Sequence, residues 1–70
     1  MPQTITPRMK ADEISIEALL QCAKRELSYR NRVYPRLVGE DKMSPQKMVY
    51  EIACMTRIVE ILDQINGRLL

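Results

Sequence analysis

Histidine, tryptophan and phenylalanine are absent from this chain, and of its 70 residues only two are cysteine and two are glycine. Each shortage removes a class of chemistry. Without histidine, Cys22 and Cys54 lack the usual base that turns a thiol into a nucleophile. Two thiolates cannot close a zinc site alone, no C-x-x-C pair is present, and a disulfide scaffold normally carries more cysteines than this. No glycine-rich loop exists to cradle the phosphates of a nucleotide. The neighbouring acids Asp12-Glu13 and Glu40-Asp41 sit at segment ends, where carboxylates are ordinarily solvated. No enzyme, cofactor or metal is therefore expected. Few glycines and no Phe or Trp also argue against a β-sandwich or barrel. The longest unbroken apolar run, Ile52-Ala53-Cys54-Met55, is far too short to span a membrane. Met1 to Lys10 contain no apolar signal core, so a cytoplasmic location with reduced thiols is expected.

What is present is a globular composition, 46% hydrophobic and 29% charged, on a very short chain. A domain of this size buries only about 60% of its unfolded surface and usually needs a staple or a partner subunit. Residues 1–11, with Pro2 and Pro7 and no periodicity, read as an extended N-terminal arm, and residues 12–70 as a helical hairpin. Asp12 or Ser15 caps a first helix, with Glu13 and Glu17 well placed near its positive end. Ile16, Leu20, Ala23, Leu27, Tyr34 and Leu37 recur at steps of three and four, the spacing of a helix packed on helices. Pro35 interrupts the backbone bonding, but Leu37 and Val38 return to the apolar arc. The helix is therefore expected over about 13–38 with a kink near Pro35. Gly39-Glu40-Asp41-Lys42-Met43 form the turn. Ser44 as N-cap, Pro45 at the first helical position, and Met43 with Met48 as a hydrophobic staple start a second helix. It should run over about 45–66, with Gly67 as the left-handed residue beyond its end. Two helices of matched length joined by a short turn make an antiparallel hairpin.

The second helix is apolar over too wide an arc. Met48, Ile52, Met55, Val59 and Leu62 form one stripe, and Cys54, Ile58, Ile61 and Ile65 form another beside it. At about 100° per residue the two cover roughly half the cylinder, well beyond the stripe one partner helix can hide. The first helix has a smaller surplus edge at Leu19, Cys22 and Val33. Two hairpins pairing into a four-helix bundle would bury both, so a homodimer is expected. Its protein interface is assigned to Ile52, Cys54, Met55, Ile58, Val59, Ile61, Leu62 and Ile65. Glu26 and Arg30, four residues apart on the same arc, read as an edge salt bridge; inside an interface such a pair would fix register or partner choice.

Charge is nearly balanced at +2 but unevenly placed: residues 1–38 carry +3 and residues 39–70 carry −1. Arg25, Tyr29, Arg32 and Arg36 share the outer face of the first helix, with Lys24 at its margin. Such a stripe is usually a solvated face that keeps a protein soluble. Its alternative use is contact with nucleic acid or an acidic partner. Met43, Met48 and Met55 read as gap-filling core residues, and Tyr34 and Tyr50 as amphipathic rim residues.

Arg30-x-Arg32-Val33-Tyr34-Pro35-Arg36-Leu37-Val38, followed by Lys42-Met43-Ser44 and by Glu51-Ile52-Ala53-Cys54-Met55 with Ile58 and Leu62, resembles a group of small phage and prophage proteins. Members of that group read R-x-x-V-Y-P-x-x-V-x-x-G-[KR]-M-S and then E-I-x-C-M, and the likeness covers about residues 22–62. Asp41 stands where the group has glycine, which bears on the turn, and Met48 replaces an alanine, which enlarges the apolar face. The resemblance implies a phage early or accessory protein, of a kind often encoded near genes for DNA metabolism or host takeover, in the cytoplasm of an infected or lysogenic bacterium. It carries over no catalytic residue. The expectation is thus a non-enzymatic protein that binds, and inhibits or recruits, a host or phage protein. A nucleic-acid-binding accessory factor is the alternative, and no membrane partner is expected.

Overall fold

The computed structural model describes residues 10–69, so residues 1–9 of the expected arm lie outside it. A 3₁₀ turn at Ala11–Glu13 leads into α1, Ile16–Gly39, and after a short connection α2 spans Pro45–Leu69. The described chain is an all-α helical hairpin.

Local chemistry explains where each helix begins and ends. Of the two candidate caps, Ser15 is the one used: its Oγ accepts the Ala18 N–H at 3.1 Å. That places the start of α1 at Ile16 rather than near residue 13. Asp12 and Glu13 belong to the separate 3₁₀ turn, where the Lys10 N–H donates to Glu13 Oε1 at 3.3 Å. The helix continues through Pro35 to Gly39. An internal proline costs a helix about 3 kcal/mol. Beyond it Leu37 and Val38 return to the packed side, where both are half-buried, and their burial offsets much of that cost.

The turn differs from the expectation in one respect. Gly39 is helical, and the left-handed residue is Asp41, at φ 59°. The Lys42 N–H reaches back to the Leu37 carbonyl at 2.8 Å and the Asp41 N–H to the Val38 carbonyl at 3.1 Å. Those two bonds make a Schellman motif, which places its positive-φ residue at Asp41. An aspartate tolerates the left-handed region better than most side chains, though still at a cost of about 1 kcal/mol.

Ser44 then caps α2, its Oγ accepting from the Lys47 N–H at 3.1 Å, and Pro45 occupies the first helical position. Met43 and Met48 are both half-buried. Gly67 does not end the helix. It has no positive φ, and α2 runs on to Leu69. Nothing reverses the chain at Gly67, and Arg68 in the last turn favours continuation by facing the negative end of the helix dipole.

The core of the described hairpin is small. Only Leu20, Ala23, Val33 and Met55 are buried. Val33, expected on the surplus edge of α1, is a correction: it is 8% exposed, whereas Leu19 on the same edge is 41% exposed. Val33 lies within two turns of the chain reversal, where the covered zone of α1 is wider than at its open end.

Candidate functional site

The half-cylinder of α2 divides in two. Met55 is buried, and Met48, Ile52, Val59 and Leu62 are half-buried, forming the stripe turned to α1. Beside it Cys54 is half-buried, while Ile58, Ile61 and Ile65 remain 45%, 41% and 37% exposed. The residues assigned to an interface thus fall into a set already used within the chain, Ile52, Met55, Val59 and Leu62, and a set open to solvent, Ile58, Ile61 and Ile65, with Cys54 on the border.

Antiparallel packing decides where the open set lies relative to the surplus edge of α1. Both helices are right-handed, but α1 runs away from a viewer and α2 returns, so their side chains turn in opposite senses. At about 100° per residue, Leu19 and Cys22 of α1 and Tyr50, Cys54, Ile58, Ile61 and Ile65 of α2 consequently project from the same side of the hairpin. The other side carries Glu17, Gln21, Lys24 and Ser28 from α1 and Thr56, Glu60 and Asp63 from α2. In the open half one side is oily and the other polar, while toward the tip the oily side gives way to the charges of Glu26, Arg30, Lys47 and Glu51. Projection of each helix alone finds the surplus edges, and only the hairpin geometry joins them.

Height along the hairpin is set by Arg30. Its Nη1 donates to the Glu51 backbone carbonyl at 2.8 Å and approaches Glu51 Oε1 at 3.4 Å, while its Nε donates to Glu26 Oε2 at 3.0 Å. The helices run antiparallel from the connection, so Leu19 and Cys22 near the start of α1 share the open half with Ile58, Ile61 and Ile65 near the end of α2. The exposed side chains of the two helices therefore meet in the open half of the hairpin. The Arg30 side chain is only 19% exposed, and the hydrogen bond to Glu26 pushes its pKa up, against the opposing effect of burial. Tyr34 lies 5.8 Å beneath its guanidinium, and Lys47 approaches the second Glu51 oxygen at 3.6 Å. The Glu26–Arg30 pair forms the i,i+4 salt bridge expected from its spacing, and Arg30 also reaches a second helix. The helix it engages is α2 of the same chain, a contact that i,i+4 spacing could not reveal.

Two neighbouring features complete the surface. Tyr50 is raised above its usual pKa, chiefly by a hydrogen bond with the Cys54 thiol and next by its charge interactions with Cys54 and Glu51. An open groove of about 540 Å³ on the outer edge of α2 is lined by Pro45, Gln46, Val49, Tyr50 and Ala53. Cys22 and Cys54 are free thiols. Among the described residues no group of three His, Cys, Asp or Glu side chains converges on a metal-sized site, and no helix is long and apolar enough to cross a membrane.

The basic residues lie elsewhere. Arg25, Tyr29, Arg32 and Arg36 are exposed along the edge of α1 that faces away from α2. The Arg32 guanidinium sits 5.9 Å over the Tyr29 ring, and Tyr29 meets Tyr34 edge-on at 6.5 Å. The chain matches no protein-family model, no curated protein and no solved structure.

Proposed function

We propose that this chain is a non-enzymatic interaction protein, a hairpin that pairs with a second copy through its oily side to form a four-helix bundle. The observation that supports this best is the exposed set of Leu19, Cys22, Ile58, Ile61 and Ile65 on one side of a hairpin with only four buried residues among those described. Fully burying an isoleucine or leucine is worth about 1.5–3 kcal/mol. Side chains still about 40% exposed each retain part of that gain, and a two-fold pairing collects it from both copies. The polar opposite side stays in water. On this reading the dimer is the working unit, and it acts by binding a host or phage protein, as the resemblance to phage accessory proteins implies.

Light scattering on the purified chain tests the pairing. The expected mass at tens of micromolar is twice the chain mass of 8.2 kDa. Ile61→Glu should return it to the monomer, because the carboxylate would have to be buried without a partner. A wild-type chain that stays monomeric and fully folded over that range overturns the proposal.

A further inference from the structure

The arginine edge of α1 is the one strongly charged feature that the pairing reading leaves unused. Among the described residues, Arg30, Lys42, Lys47 and Arg57 each have a carboxylate within salt-bridge distance. Arg25, Arg32 and Arg36 have none. The reason is in the sequence: between Gln21 and Gly39 the only acid is Glu26, and its carboxylate is held by Arg30. Three guanidinium groups therefore line about 16 Å of one helix edge with their charge uncancelled. Tyr29 stands among them, 46% exposed, with the Arg32 guanidinium 5.9 Å over one face of its ring, so the opposite face is the one open to a base. The three arginines point away from α2 and from the oily side, while Tyr29, seven residues after Cys22, stands on the border between that side and the arginine edge.

We infer that this edge is a binding site for single-stranded nucleic acid, with Arg25, Arg32 and Arg36 neutralising backbone phosphates and Tyr29 offering its ring to a base. Arginine suits phosphate because its planar fork donates two parallel hydrogen bonds and never loses its charge. An exposed aromatic ring among unpaired cations is the arrangement that single strands use, since their bases have open faces. A duplex presents no such face, and Tyr29 would be idle against it. No group on this edge reads base identity, so binding should be insensitive to sequence. Pairing through the open half leaves the three arginines exposed, so phosphate binding does not depend on the pairing proposed above.

Fluorescence anisotropy tests it, using the full chain and a labelled mixed-sequence oligonucleotide of about 20 nucleotides, single-stranded or annealed. The single strand should bind more tightly than the duplex. For three phosphate contacts, raising salt from about 50 to 200 mM should weaken single-strand binding roughly 20-fold. Changing Arg25, Arg32 and Arg36 together to Gln should abolish binding, while the same change at Lys42, Arg57 and Arg68, equal in charge, should preserve most of it. Tyr29→Leu should weaken single-strand binding roughly tenfold. Circular dichroism and light scattering verify that each variant keeps its fold and mass. Should the triple arginine variant unfold, the salt dependence and the separate Arg25→Gln and Arg36→Gln variants carry the test. Absence of binding at low salt, or binding indifferent to the three arginines, overturns the site. Equal affinity for duplex with no effect of Tyr29→Leu overturns the assignment to single strands.

Discussion

Near the connection, α1 and α2 are joined by polar groups of fixed geometry: the Ser44 cap, the two Schellman bonds into Asp41 and Lys42, and Arg30 reaching across to the Glu51 carbonyl. Val33 is buried there. Toward the open end the same helices meet through Leu20 and Ala23, and one side of the pair is left uncovered at Leu19, Cys22, Ile58, Ile61 and Ile65. The closed half specifies how the helices sit, and it does so within one chain. The open half supplies apolar area beyond what the chain can hide. Polar bonds are directional and set register, while burial is non-directional and collects area from whatever covers it. Separating the two jobs along the hairpin allows a very short sequence to do both.

Substitutions at three positions sharpen this contrast. The largest effect is expected from Leu20→Ala in the open half, where the most buried side chain of the described hairpin would leave a void. A loss of about 2–5 kcal/mol in chemical denaturation is expected, and it should grow on dilution if the open half is completed by a second copy. Arg30→Met keeps the stem and removes the cross-helix bonds. It should cost about 1.5–3 kcal/mol, measured the same way, and leave the light-scattering mass unchanged, because the change lies outside the exposed apolar set. A loss of the dimer on Arg30→Met would show that register and pairing are not separable. Smallest, and opposite in sign, is Asp41→Gly: relief of the left-handed backbone should stabilise the chain by about 0.5–1 kcal/mol in thermal or denaturant unfolding.

Much of this architecture was legible in the chain. Ser15 and Ser44 carry their caps, and the steps of three and four from Ile16 to Leu37 mark the packed face of α1. The two stripes of α2 separate into covered and open residues in the structure. The misreadings share a cause. Gly67 reads as a helix end because glycine permits a left-handed residue, but permission is not requirement. The turn took its left-handed residue at Asp41, where the backbone bonds demanded it, and α2 simply ran on past Gly67. Val33 is buried where an exposed edge was expected, and Arg30 keeps its expected bond to Glu26 but adds one to Glu51 across the hairpin. Projection of one helix records angle, not what stands opposite. Of the candidate site residues, the isoleucines were visible as surplus, whereas their shared side with Leu19 and Cys22 needed the handedness of two antiparallel helices together.

Pro35 has one more consequence. Lacking an amide hydrogen, it deprives the Asn31 carbonyl of its ordinary donor one turn down the helix, and both residues face water. The rod of α1 therefore has a missing rung just above the Arg30 clamp. The helix is continuous on both sides of that gap, so the loss is confined to one carbonyl that lies on the exposed side, where water can take the place of the absent donor.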